Sequence, residues 1–419
     1  MNLSEWLAYI ERQHPKSIEM GLERARTVAE RMRIGKPAAQ VITVGGTNGK
    51  GSTVAFIEAI AREAGRKVGA YTSPHLLRYN ERVRIDGADA GDERLVEAFE
   101  AVEAARSDTP LTYFEYGTLA ALWLFERARL DLAVLEVGLG GRLDAVNIVD
   151  PDVAVITTVD IDHTDWLGAD RESIGAEKAG IARPWKPLVL GEIDSPSSVL
   201  RRAYAIGANA LRRGSDFFDE PVDASHWRWR EVGGELLLPH PPLAAPAQRA
   251  NAATAIAALR ALDGDIAPEA YASGVAGARL PGRLQRFVRD GAEVYVDVGH
   301  NPQAARELAA WLRAQPAAPT ALVYAALADK DAAGVVAAFD GLDVDWHLAG
   351  LEPQSPRGQD VETLRARLAG SAAGQGDAHV DVAHALDAVL SRAQAGMRVL
   401  VFGSFHTVAE ALAWLHSGR

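Results

Sequence analysis

The stretch VITVGGTNGKGSTVAFIEAIA, residues 41–61, decides how the rest of the chain is read. An apolar, β-branched run passes through a glycine-rich turn into apolar residues at helical spacing. A standard phosphate loop has Gly, four residues, then Gly-Lys-Ser/Thr. Here Gly45 and Gly49 enclose Gly46, Thr47 and Asn48 only, and Gly51 separates Lys50 from Ser52. Glycines let backbone N–H groups approach phosphate oxygens, and the helix N-terminus adds partial positive charge. Lys50 is placed to reach terminal phosphates, and the inserted Gly51 shifts the magnesium-binding hydroxyl to Ser52. The stretch predicts a nucleotide site between a strand and a helix.

Working outward, VITV (41–44), KVGAY (67–71), LAVLEV (132–137) and VAVITTV (153–159) read as strands buried on both faces. STVAFIEAIAREAG and FEYGTLAALWLFERARL read as the helices between them. This predicts a parallel α/β sheet with helical crossovers. Residues 190–280 hold a Trp-rich patch, a PHPPLAAPAQ loop and an alanine-rich helix at 249–262. ARLPGRLQRF (278–287) reads as a hinge around Pro281 and Gly282. A second α/β series follows in EVYVDVGHNP, TALVYAALADKD, VDWHLAG and RVLVFGSFHTVAEALAWL. The expected domains are 1–282 and 283–419.

Composition narrows the function. With 419 residues, 48% hydrophobic and 24% charged, the chain can build two cores. A net charge of -12 argues against nucleic acid as a partner, though not against small anions. The absence of cysteine excludes disulfides, thiolate metal sites and cysteine nucleophiles. No apolar run suffices for a membrane span, and MNLSEWLAYIERQHPKS does not resemble a secretion signal, so a cytoplasmic protein is expected.

Open parallel sheets bind ligands at the carboxyl ends of their strands. Those ends carry GGTNGKGST, then Thr72-Ser73-Pro74-His75, then Glu136 with GLGGRLD, then Asp160-Ile161-Asp162-His163. A carboxylate ending a run as apolar as LAVLEV is costly to bury alone, and a Mg²⁺ ion would resolve that cost. Arg142, Asp144 and the Asp-rich loop are individually weak signals, and a surface loop explains DIDHTDWLG equally well. Lys178, in GAEKAGI, reads from its pattern as a helix-surface lysine.

GTNGKGS, TSPHL, YFEYGTLAALWLF, LEVGLGGRLDAVNIV, DHTDWLG, ESIGAEKAGI, LPGRLQ, VDVGHNP and GSFHTVAE together resemble the folylpolyglutamate synthase family, especially its bacterial bifunctional dihydrofolate synthase/folylpolyglutamate synthase branch. The resemblance runs from about residue 18 to the C-terminus, is least distinctive over 190–250, and includes the glycine after the lysine. It implies a Mur-ligase-like α/β architecture: a P-loop N-terminal domain with a mostly parallel sheet and a pteroate pocket, and a smaller Rossmann-like C-terminal domain. It implies an ATP-dependent ligase that adds L-glutamate to dihydropteroate and to tetrahydrofolates, working as a monomer.

Carried over position by position, Asn48, Gly49, Lys50, Gly51, Ser52 and Thr53 would bind the ATP phosphates. Ser52, Ser73, Glu136 and His163 would hold Mg²⁺, with two ions expected. Lys178 would carry a carbamate formed from CO₂ and join them. Asn251, Arg283 and Asp297, grouped with the second domain, would contact nucleotide, and His300 lies in the same VDVGHNP segment as Asp297. Lys50, Lys178, His163 and His300 would be the catalytic set. The pteroate pocket would draw on Leu22, Glu23, Arg24 and Ala25, on Thr112, Tyr113, Phe114 and Glu115, and on Leu143, Asp144 and Ala145.

The implied chemistry is coherent. A carboxylate is a poor acceptor for an amine, and transfer of the ATP γ-phosphoryl group would convert it to an acyl phosphate with a good leaving group. Positioning three reactants could offset on the order of 7–11 kcal/mol of barrier. Closure about 278–287 would keep water from the acyl phosphate. Alternatives are a monofunctional folylpolyglutamate synthase, a muramyl amino-acid ligase, or a non-catalytic P-loop switch. TSPHL and YFEYGTLAALWLF favour folate, and a switch has no need of VDVGHNP and GSFHTVAE.

Overall fold

The computed structural model describes residues 1–417 apart from 15, 17, 263 and 353–356. It divides into two units: Met1–Pro242 with Gln248–Arg279, and Leu243–Ala247 with the chain from Leu280 onward. The division thus falls at 279/280 rather than 282/283, and a short segment around Ala245 joins the second core.

The first unit is built on strands β1 (Ala38–Gly45), β2 (Val68–Tyr71), β3 (Val83–Ile85), β4 (Ala88–Asp89), β5 (Leu130–Glu136), β6 (Val153–Ile156), β7 (Pro187–Leu190) and β8 (Asn209–Arg212). They form one sheet in the order β4-β3-β2-β5-β1-β6-β7-β8. All pairings are parallel except β2 with β3 and β3 with β4. The ends of β2, β5, β1 and β6 therefore stand side by side. Register fixes this, with Tyr71 opposite Leu135, Val44 opposite Glu136, and Gly45 opposite Ile156. These strands are buried nearly throughout, as their β-branched runs require.

Two helices that face this sheet begin in different ways. Tyr113–Ala128 starts with a capping box, in which Thr112 and Glu115 satisfy each other's backbone N–H. Lys50–Glu63 starts at Gly49 in the left-handed region, with no side-chain cap. Its first N–H groups are consequently available to an anion.

Several expected bounds shift. β6 stops at Ile156: Thr157 N–H still donates to Gly45 O, and Thr157 and Thr158 then brace the loop after β1. The helix expected to run to Leu130 ends at Ala128, where Arg129 turns left-handed and Leu130 opens β5. Within 190–280 the Trp-rich patch is strand β10 (His226–Glu231) of an antiparallel sheet, between β9 (Phe217–Pro221) and β11 (Gly234–Pro239). The alanine-rich helix spans Ala247–Arg260.

The second unit has a six-stranded sheet of β12 (Gln285–Arg289), β13 (Ala292–Asp297), β14 (Thr320–Tyr324), β15 (Asp345–Ala349), β16 (Asp377–His379) and β17 (Arg398–Phe402). The order is β12-β13-β17-β14-β15-β16, parallel except for β12 against β13. Residues 285–287 of the expected hinge are therefore ladder-bonded in an edge strand. Leu322, Leu348, Leu364, Leu400 and Phe402 belong to its own core.

Candidate active site

The loop after β1 is held in shape by the segment leaving β6. Thr47 N–H donates to Thr158 O at 2.7 Å, Asn48 N–H to Thr158 Oγ1 at 3.0 Å, and Thr157 Oγ1 to Asn48 O at 2.6 Å. Gly46 has φ +147°, and Thr157 Oγ1 occupies the space a Cβ would need there. Gly49 has φ +85°, with Asn251 Oδ1 only 2.5 Å from where a Cβ would stand. Asn251 thus belongs to the first unit and packs on the loop, contrary to its expected grouping with the second.

Lys50 bends back over the loop and donates to Gly46 O at 3.0 Å and Thr47 O at 3.2 Å. Ser52 and Thr53 are buried in the first turn. Thr53 N–H closes onto Gly49 O at 2.9 Å, so the N–H groups of Lys50, Gly51 and Ser52 precede the first intrahelical bond. Among the described residues Thr53 Oγ1 is buried with no hydrogen-bond partner.

Glu136, the last residue of β5, is only 4% exposed and accepts from Ser73 N–H at 3.2 Å. That contact joins the rims of β2 and β5. His163 has φ 54°, caps the short helix Thr164–Leu167, and donates its N–H to Asp162 Oδ1 at 2.9 Å. Ser52, Ser73 and Glu136 supply oxygen donors of the kind a small divalent cation takes, and His163 adds one imidazole nitrogen.

Lys178 departs most from its sequence pattern. It ends the helix Arg171–Lys178 but is 3% exposed, not a helix-surface lysine. The glycine loop after β5 packs on the end of this helix: a Cβ on Gly141 would meet the carbonyls of Glu177 and Lys178 at 2.9 and 3.0 Å. Arg142 N–H donates to Glu177 O, and the Arg142 guanidinium pairs with the Glu177 carboxylate at 2.7 Å. Burial, followed by the charge of Lys50, lowers the Lys178 amine to about 7, against the opposing pull of Asp162 and Glu192. An ammonium here would not ligate a cation, whereas a carbamate on the neutral amine would add two oxygens.

The three segments expected to line a pteroate pocket meet one another. Arg24 pairs with the buried Glu115 at 3.0 Å, Gly21 N–H donates to Leu143 O at 3.3 Å, and Phe114 lies against Gly138. Glu115 also accepts from Thr112 N–H at 2.8 Å. Tyr113 and Leu143 are half-buried, Ala25 and Ala145 buried, and Leu22 half-buried, while Glu23 is exposed. Asp144 is buried and accepts from the N–H groups of Leu139 and Val146 at 2.8 and 3.0 Å, so it organises its own loop. Burial raises its carboxyl to about 7 despite those donors.

In the second unit, Asp297 closes β13 and accepts from Leu284 N–H at 2.9 Å and Gly299 N–H at 2.8 Å. Burial raises its carboxyl, opposed by Arg283, whose guanidinium lies 5.4 Å from the Phe405 ring centroid. His300 Nδ1 is 3.0 Å from Val298 O.

Sequence reasoning passed over Glu192. It follows β7, accepts from Val159 N–H at 3.2 Å, pairs with Arg171 at 3.2 Å, and is raised by burial to about 7. The rule that singled out Glu136, an acid just past an apolar strand, applies equally to GEID after PLVL. Thr157 and Thr158 were also missed, having been read as strand residues.

Residues 44–209 match the Mur ligase middle domain, and residues 282–405 match the Mur ligase glutamate ligase domain. The dihydrofolate synthase/folylpolyglutamate synthase of Escherichia coli K12 is 48% identical over 419 residues, covering 100% of this chain and 96% of that protein. The structure of E. coli FolC in complex with DHPP and ADP superposes with a TM-score of 0.93 at 46% identity, covering 100% of this chain and 99% of that one. The bifunctional folylpolyglutamate synthase/dihydrofolate synthase from Yersinia pestis, complexed with AMPPNP and Mn ion, superposes with a TM-score of 0.92 at 44% identity, covering 99% and 98%. A fold of two α/β units, a glycine loop at the centre of a mostly parallel sheet and full-length likeness to these enzymes agree: the chain belongs to the folylpolyglutamate synthase family of Mur-type ligases, alongside its bacterial bifunctional members.

Proposed function

We propose that this protein uses ATP to join L-glutamate to the carboxyl group of dihydropteroate, and likewise to extend tetrahydrofolates, through an acyl phosphate. One observation carries the reading. The glycine loop and the Ser73–Glu136 contact lie at the carboxyl ends of adjacent parallel strands, and the buried Lys178 amine feels the charge of Lys50 in that loop. The likeness to enzymes solved with DHPP and ADP, or with AMPPNP and Mn ion, supports the choice of ligands.

In this reading the unbonded N–H groups opening the helix at Lys50 cradle the phosphates. The Lys50 ammonium, now folded onto Gly46 O and Thr47 O, swings to the terminal phosphate as charge develops there. Ser52, Ser73, Glu136, His163 and a carbamate on Lys178 would hold Mg²⁺, which when bound neutralises phosphate charge. The segments around Arg24, Phe114 and Leu143 orient the pteroate so that its carboxylate meets the γ-phosphoryl group. Asn251 contacts the nucleotide from its place against Gly49, and Arg283, Asp297 and His300 are the proposed nucleotide-contacting and catalytic residues of the second unit. The glutamate amine then attacks the acyl phosphate, and phosphate leaves as the amide forms.

The carbamate follows from chemistry at Lys178. Only a neutral amine attacks CO₂, and an amine at about 7 is substantially neutral at physiological pH. Replacing Lys178 by alanine should abolish ligation, with partial recovery on adding a small carboxylate; unchanged activity would sink the carbamate. The function itself is tested with purified protein, ATP, Mg²⁺, glutamate and dihydropteroate. ADP release that needs both glutamate and the pteroate is expected, and release needing neither would overturn the proposal. A product assay with tetrahydrofolate tests the second activity, and sedimentation tests the proposed monomer.

A further inference from the structure

On the second sheet, away from the strand-end residues discussed above, β15 and β16 carry a compact group of ligating side chains. The two strands pair in parallel with His347 opposite Asp377 and Ala349 opposite His379. Side chains alternate along a strand, so Asp377 and His379 share one face, and the register sets His347 beside them on that face. His347 Nδ1 lies 3.0 Å from His379 Nε2 and 3.9 Å from Asp377 Oδ2. The two imidazole rings stack with centroids 5.3 Å apart at 27°. One ligand atom from each residue falls within a sphere in which all lie less than 4.8 Å apart.

We infer that His347, Asp377 and His379 form a binding site for a divalent transition-metal ion of the zinc class, clamping edge strand β16 to β15. Two nitrogens and one oxygen at about 2.0–2.2 Å from a tetrahedral ion lie roughly 3.4 Å apart, and the observed spacings bracket that value. Binding requires lone pairs on His347 Nδ1 and His379 Nε2, so the ring protons reside on His347 Nε2 and His379 Nδ1. In the metal-free protein one of the two facing nitrogens carries a proton, and ion binding shifts that ring to its other tautomer, with no net loss of a proton. The Asp377 side chain is 61% exposed, which leaves a fourth position open to water. Its pairing with Arg392, at 3.8 Å on the surface, is weak enough to yield. Asp345 and Asp381 add negative charge nearby, with His384 held by Asp381. Two imidazole ligands in a set of three favour zinc, nickel or cobalt over Mg²⁺, which takes mainly oxygen.

The test is calorimetric titration of the full chain with ZnCl₂ in chelator-free buffer containing excess Mg²⁺, alongside His379→Gln and Asp377→Asn. The site predicts a zinc-binding event in wild type that weakens at least about tenfold in each variant. Asp377 is exposed, so its variant serves if His379→Gln folds poorly. Zinc-edge anomalous diffraction should place a peak among the three residues. Equal zinc affinity in wild type and both variants, or zinc peaks only elsewhere, would overturn the inference.

Discussion

Lys178 ends a helix with a charged first turn, and nothing in RESIGAEK distinguishes it from a solvated lysine. Its side chain is nonetheless buried, and a loop more than thirty residues earlier packs on the helix end, where Gly141 lets the chain lie on the Glu177 and Lys178 carbonyls. Pattern alone could not reveal this, and the residue entered the expected site only through family likeness. The geometry has a thermodynamic consequence. The amine titrates near 7 when folded and near its ordinary value of 10.5 when unfolded, so between these pH values the unfolded chain binds more protons. Wild-type stability should therefore rise through that window in CO₂-free, chelated buffer. Lys178→Met removes the titration. It should stabilise the protein most below pH 7, by on the order of 3–5 kcal/mol at the upper bound, and progressively less toward pH 10.5. Denaturant unfolding of both proteins across pH 6–10 checks this, and a gain independent of pH would refute it. The metal-ligating histidines of the second unit were illegible for a related reason. His347 and His379 are remote in sequence and meet only through strand register.

Among the elements, buried parallel strands were the most readable, since β1, β2 and β5 are continuous β-branched or apolar runs. The antiparallel sheet of β9, β10 and β11 was less so, although HWRWRE alternates in the expected way. Trp227 and Trp229 are fully buried, while the intervening Arg228 is directed to Glu235 and Arg230 to Glu220. Strand β12 was hidden by its polar sequence and by Pro281-Gly282 just before it, as suits an edge that pairs on one side only. The decisive element remains the turn between β1 and its helix. Gly49 is left-handed with Asn251 against it, so Gly49→Ala combines about 1–2 kcal/mol of backbone strain with a clash. ADP affinity should fall at least about tenfold, a loss of roughly 1.4 kcal/mol, measured by calorimetry. Thr157→Val tests the brace from β6. It removes the donor to Asn48 O and should lower global stability by about 1–3 kcal/mol, with weaker ADP binding. Unchanged ADP affinity in a folded Thr157→Val protein would show that the loop keeps its shape without the brace.

For the molecule as a whole, the two units have separate hydrophobic cores, one centred on residues such as Leu135 and Phe125 and the other on Leu400 and Phe402. Among the described residues no sheet or strand is shared between them. Units built this way unfold independently unless a large apolar interface couples them. Ligand binding stabilises the unit that contains the site, because only that folded form binds. Calorimetric unfolding should accordingly resolve two transitions, or give a calorimetric enthalpy above the van't Hoff value. Leu135→Ala and Leu400→Ala each empty a fully buried site and should cost about 2–5 kcal/mol. Leu135→Ala should lower one transition and Leu400→Ala the other. Saturating ADP and Mg²⁺ should raise the transition that Leu135→Ala lowers, since the glycine loop belongs to that core's sheet. If both substitutions depress one common transition by equal amounts, the two cores melt as a single cooperative body. The independence argued from separate sheets and cores would then fail.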